Sequence, residues 1–184
     1  MNLLIIIISF LDILLKPLIA LCKGATIFLV VSIALIVSSS VFFRYVLNDS
    51  LTWSEEIAKY SMVWLVFVGA PVAMIEGRHI AIEIFPNLFK PKLRAFIFLL
   101  VNILIVVTMC FWTAKGLQYT IQGWSQVLMA VELPLGLVFA SIPFGSSIMV
   151  LISLKVALSQ ILVMRDHEKY DEYKVKKTTE HGDA

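Results

Sequence analysis

Charge is what this chain has least of. Only 15% of its 184 residues are Asp, Glu, Lys or Arg, against roughly 25% in a soluble globular domain. With 60% hydrophobic residues and a mean hydropathy of +0.92, a fold in water would leave a large apolar surface uncovered. The net charge of +2 is small and the basic residues form no stripe, which sets nucleic acid aside as a partner. Cysteine is as sparse, with Cys22 and Cys110 alone and no CxxC pair. His79, His167 and His181 are the only histidines. All three fall outside the apolar runs, so the intramembrane ligand pairs of a haem or quinone enzyme are missing. No Gly-rich phosphate loop, HExxH or nucleophile elbow occurs. No cofactor and no catalytic or metal site is expected.

What the chain has in quantity is long apolar runs. A hydrocarbon core of about 30 Å needs roughly 20 residues of helix. Gly24 to Phe43, Tyr60 to Ile75, Ala95 to Ala114 and Leu133 to Leu154 meet or approach that length, and each is closed by a charge: Arg44, Glu76, Lys115 and Lys155. Only helices or closed barrels satisfy their backbone in lipid, and runs of this length predict an all-α membrane bundle. The expected spans are approximately 24–46, 54–76, 93–116 and 133–162. Residues 1–165 then form one membrane domain and 166–184 a polar cytoplasmic tail.

The leading segment, NLLIIIISFLDILLKPLIALCKG, is interrupted by Asp12, Lys16, Pro17 and Lys23. It predicts an N-terminal interfacial helix that turns into the first span, a fifth crossing being the alternative. A cleaved signal peptide is not expected, because no positive region precedes the apolar run and no small-residue cleavage site follows it. In IALC, Leu21 stands where a lipoprotein box wants a small residue, so Cys22 reads as a packing residue.

Orientation follows from the sides on which Lys and Arg lie. Eleven fall at the start, in the middle connection and in the tail, whereas Arg44, Lys59 and Lys115 face the other side. Both termini are therefore expected in the cytoplasm. Aromatics such as Trp53, Tyr60, Trp112 and Trp124 gather at the opposite, outer edge. This topology puts Cys22 and Cys110 at opposite faces, which excludes a disulfide between them. On the inner side, HIAIEIFPNLFKPKLR places Ile80, Ile84 and Leu88 at helical spacing beside Lys90, Lys92 and Arg94. It reads as a short amphipathic arm held at anionic lipid, with His79 as a cap at its start.

The uncharged core of the second span is 16 residues, about 24 Å, so the helix must enter the membrane a turn early. That puts Glu55, Glu56 and Lys59 at the outer boundary, where charge is costly and finds partners. Glu55 and Lys59 are spaced i, i+4, and the polar turn from Asn48 to Thr52 brings Arg44 near. The cluster Arg44, Trp53, Glu55, Glu56, Lys59 is either a local brace between spans one and two or a contact with another polypeptide. Gly69 with Ala73, and Ser141 with Gly145, make small-xxx-small pairs suited to close helix packing. Asn102 and the run Ser38 to Ser40 are the main polar groups within the spans, and read as interhelical glue rather than a pore. From Gly116 to Glu132 a polar outer loop is expected.

The run FFRYVLNDSLTWSEEIAKYSMVWLVFVGAPVAMIEGRHIAIE resembles the signature of the small membrane subunit, the Q subunit, of tripartite ATP-independent periplasmic (TRAP) transporters. Arg44, Tyr45, Asn48, Ser50, Leu51, Trp53, Glu55, Glu56, Trp64, Gly69, Ala70 and His79 take the places of the family pattern, and LPLGLVFASIPFG stands as its final span. Lys59 replaces an expected Arg and Glu83 an expected Asp, both with charge kept. The resemblance implies a bacterial inner-membrane complex. In it a periplasmic binding protein delivers an organic anion, a large M-type subunit holds the substrate and sodium sites, and the small subunit braces that partner without binding substrate. Asn48, Asp49, Gln122, Trp124 and Gln126 then become a candidate contact for the binding protein. A stand-alone carrier or channel, and a membrane oxidoreductase, are the alternatives outside the family.

Overall fold

The computed structural model describes residues 2–76 and 91–165. These residues are almost wholly helical: α1 (Asn2–Val46), α2 (Thr52–Glu76), α3 (Pro91–Gly123), the single turn α4 (Gly136–Phe139) and α5 (Ser141–Arg165). Four helical stretches, Leu4–Val46, Thr52–Glu76, Phe96–Gly123 and Gly136–Leu162, are long and apolar enough to cross a membrane. α3 lies along α5, α1 lies along α2, and α2 joins the two pairs by packing on α5.

The leading segment does not form an element of its own. It runs through Pro17 into the first span as one helix of 45 residues, about 68 Å long and twice the thickness of a hydrocarbon core. Packing explains the continuity. Leu15, Ile19 and Cys22, spaced along one face, enter a single buried cluster with Val68 and Val72 of α2 and Ile148, Ile152 and Val156 of α5. Asp12, which interrupts the apolar run in sequence, is buried against an ion pair with Lys155 of α5.

α2 begins two residues before its expected start. α3 overruns its expected end by seven residues, so Gln118 and Gln122 stand on a helix, and the outer connection is the shorter stretch 124–135. An apolar run ends where charge begins, but a helix ends where its backbone bonds stop, and here that is Gly123, with the Thr120 hydroxyl also donating to the Gly116 carbonyl at 2.8 Å. The last span starts later than 133, because Val127 and Pro134 form a β-bridge that closes the connection before α4. α4 and α5 are separated by a turn at Ala140, and Pro143 falls in the first turn of α5, where no amide is needed. Of the expected cytoplasmic arm, His79, Ile80, Ile84, Leu88 and Lys90 lie outside the described residues, and Lys92 and Arg94 belong to the first turn of α3. The tail 166–184 also lies outside them.

Buried polar groups inside the bundle are few and satisfied. Ser54 Oγ lies 2.6 Å from the Leu51 carbonyl and 2.9 Å from Ser40 Oγ, which ties α2 to α1. Thr113 and Ser146 hydroxyls, 2.9 Å apart, tie α3 to α5. Asn102 departs from the expected interhelical role: its Nδ2 donates to the Phe98 carbonyl one turn back in α3, at 2.8 Å. Ser38 and Ser39 are exposed. Among the described residues no buried side-chain N or O lacks a partner.

Candidate functional site

The site grows from the turn between α1 and α2. The Phe43 carbonyl accepts from the Leu47 and Asp49 amides, both at 3.2 Å, while Asn48 turns the chain in the left-handed region at φ 51°. Asn tolerates that conformation far better than a bulky residue does. α2 then starts antiparallel to α1 and places Glu55 opposite Arg44. Arg44 Nη2 donates to Glu55 Oε1 at 2.6 Å. Both side chains are about half exposed, so the pair orients the hairpin more than it stabilises it. Glu55 thus pairs across the turn, and Lys59, one turn along α2, makes no ion pair within 4.0 Å among the described residues.

At the other end of the same helix pair, Lys23 Nζ meets Glu76 Oε1 at 2.7 Å. Lys23 and Arg44 are twenty-one residues apart, as are Glu55 and Glu76. That is about 32 Å of helix, the thickness of a hydrocarbon core. The α1/α2 hairpin is therefore closed by one ion pair at each end of a membrane-length apolar stretch.

Glu56 reaches elsewhere. Its Oε2 accepts from the Ala130 amide at 2.9 Å, seventy-four residues away, and so fixes the tip of the outer connection. The connection is itself a tight hairpin, with Leu128 donating to the Leu133 carbonyl at 2.9 Å and Leu135 to the Gln126 carbonyl at 2.8 Å. Trp64 Nε1 donates to the Leu137 carbonyl at 3.2 Å, satisfying a carbonyl that the one-turn α4 leaves open. α2 thus holds the outer connection at Ala130 and the following α4 at Leu137. Asn48 and Asp49 on the first turn, and Gln122, Trp124 and Gln126 beside the second, are all exposed at this end of the bundle. Trp53 is exposed beside them.

The two small-xxx-small pairs separate. A Cβ on Gly145 would lie 2.1 Å from the Phe67 carbonyl oxygen, so α5 approaches the α2 backbone as only glycine permits, and Ser141 beside it is fully buried. Gly69 has only Thr26 side-chain atoms near it, at 3.8 Å, and Ala73 is exposed. Nearly as close are Gly116 against Pro143, at 2.8 Å, and Gly123 against Gly136, at 2.9 Å. Those three glycines were not singled out from the sequence, although Thr120 stands four residues after Gly116 and Ala140 four after Gly136.

Among the described residues no group of three His, Cys, Asp or Glu could hold a metal ion, and Cys22 and Cys110 are free thiols. What the arrangement offers among the described residues is a set of polar cross-links between helices and an outer connection tied to α2.

Known proteins show the same pattern. Residues 33–163, well over half of the chain, match the family described as tripartite ATP-independent periplasmic transporters, DctQ component. A Haemophilus influenzae protein named as a TRAP transporter small permease is 24% identical over 74% of this chain and 85% of its own length. The Rhodobacter capsulatus C4-dicarboxylate TRAP transporter small permease protein DctQ is 32% identical over 59% of this chain and about half of its own length, 48%. The H. influenzae sialic acid TRAP transporter permease protein SiaT is 30% identical over 52% of this chain, a stretch that makes up 15% of that polypeptide. With four membrane-length helices among the described residues and a match that runs from the outer third of the first through the last, this chain belongs to the DctQ family of TRAP transporter small permease components.

Proposed function

We propose that this chain is the stationary brace of a three-part importer in the bacterial inner membrane, with both ends and the 77–90 connection in the cytoplasm. A large M-type subunit carries the substrate and sodium sites, and a periplasmic binding protein delivers an organic anion. The observation that carries this reading is the fate of the polar groups within the spans. Ser40, Ser54, Asn102, Thr113 and Ser146 all bond within this chain, so each is already engaged inside the bundle rather than offered to a passing anion or cation. The SiaT match supports the same partner, since a stretch related to this chain lies within a permease several times its length. The named solutes of the relatives, a C4-dicarboxylate and sialic acid, are both carboxylates, which supports organic acids as the cargo.

In this reading the lysine-poor end faces the periplasm, and Asn48, Asp49, Gln122, Trp124 and Gln126 meet the binding protein. The exposed faces of α1 and α3 are left for lipid and for the large subunit. The arm containing His79, Lys90, Lys92 and Arg94 lies at the inner membrane interface. The test is to purify the chain alone and with its large subunit, and to reconstitute each in liposomes. We expect the two to co-purify and the chain alone to carry no flux of any organic acid. Flux through the chain alone, as a small carrier would show, overturns the proposal.

A further inference from the structure

Between the outer ends of α1 and α2 lies an open cleft of about 330 Å³. Arg44, Tyr45 and Lys59 stand at its mouth, and Val37, Val41 and Met62 line its floor. Val41 and Val37 lie three and seven residues before Arg44, and Met62 lies three after Lys59, so the floor sits about 4.5 to 10 Å of helix closer to the bilayer centre than the cations do. The lining therefore passes from cationic to apolar over the depth at which a phospholipid passes from phosphate to acyl chain. Tyr45 adds an amphipathic ring at the headgroup level.

The charges at the mouth do not cancel. Two cations face one carboxylate, Glu55, which is taken by Arg44. Lys59 feels the Glu55 carboxylate through space but makes no ion pair within 4.0 Å among the described residues, so its ammonium stays open to an outside anion, and a basic notch between membrane helices is a recognised form of headgroup site. The order of the lining, cations first and apolar side chains beneath, suits a phosphate headgroup followed by the first carbons of its chains. Val37, Val41 and Met62 are themselves exposed, so none of the described residues covers the floor.

We propose that this cleft holds one phospholipid of the outer leaflet, its phosphate on Lys59 and the free edge of Arg44, its chains leaving along Val37, Val41 and Met62. The inference requires only that the chain spans a membrane, and it stands whether or not the transport reading does. It also gives Lys59 a role that no intramolecular pair supplies.

The test takes the full-length chain, with its large subunit where the two co-purify, from bilayers of phosphatidylethanolamine and phosphatidylglycerol. Native mass spectrometry then reads the fraction of chains that retain one phospholipid. Lys59→Ala should lower retention about fivefold, the equivalent of roughly 1 kcal/mol for one lysine at a lipid surface, and Lys59→Arg should restore it. Met62→Trp, which fills the floor and leaves the charges in place, should also lose the lipid. Both positions are exposed, so circular dichroism should show unchanged helicity in all three variants. Retention equal to wild type in Lys59→Ala and Met62→Trp overturns the proposal. So does a photo-crosslinker at position 62 that captures a polypeptide instead of a phospholipid.

Discussion

The two helix pairs of this bundle are joined by opposite means. α1 and α2 meet through side chains that reach across, with an ion pair at each end and Ser40 beside Ser54. α5 meets α3 and α2 mainly where side chains are missing, at Gly116 and Gly145, with one hydroxyl pair, Thr113 and Ser146, beside them. A joint made of reaching side chains tolerates change, because a lost ion pair near the surface is replaced by water. A joint made of glycine does not, because a new carbon has nowhere to go.

That contrast orders the mutations by size. Gly145→Val should have the largest effect, about 3 kcal/mol or more of overpacking, read as loss of monodisperse protein after extraction. Gly69→Ala, the same kind of position by spacing, should be neutral or slightly stabilising, since a Cβ there meets only ordinary contacts. Equal damage in both would break the comparison.

Next comes the Asp12 and Lys155 pair, the least exposed of the ion pairs among the described residues. Asp12→Ala strands a buried ammonium and should cost about 3 kcal/mol, whereas adding Lys155→Met should recover most of it. The thermal midpoint in one detergent reads both, and a double variant no better than the single one would show that the pair is not what holds α1 to α5.

Glu56→Ala should cost about 1 kcal/mol, one hydrogen bond, with a local signature: faster hydrogen exchange at the Ala130 amide and unchanged exchange in α3. The smallest effect belongs to Glu55→Gln. It leaves a hydrogen bond to Arg44 available in an exposed site and should leave both the midpoint and Ala130 exchange where they are. If Glu55→Gln moved Ala130 exchange as much as Glu56→Ala, the two carboxylates would not have the separate partners described.

These partners also mark where sequence reading stopped. The spans were legible because each apolar run is closed by a charge, and the Arg44 to Glu56 cluster because charge at a membrane boundary needs a partner. Which partner was not legible. Glu55 and Lys59 have the spacing of a helix pair, yet Glu55 turns to Arg44 because the left-handed Asn48 brings α1 closer. Glu56 and Ala130 are seventy-four residues apart, and no local pattern links them. Asp12 looked like the end of an apolar run; with Lys155 opposite it becomes a point of attachment, and the helix continues. Of two equivalent small-residue pairs, only tertiary packing decides that Gly145 touches backbone and Gly69 does not. The unexpected length of α3 has the same origin, since Lys115 ends the apolar run without ending the helix.

The account rests on the chain bracing a partner's transport without conducting. The most direct measurement is sodium-driven uptake of an organic acid by proteoliposomes that contain the large subunit and the binding protein, with and without this chain. The account predicts uptake only when the chain is present, and undiminished uptake in its absence would contradict it.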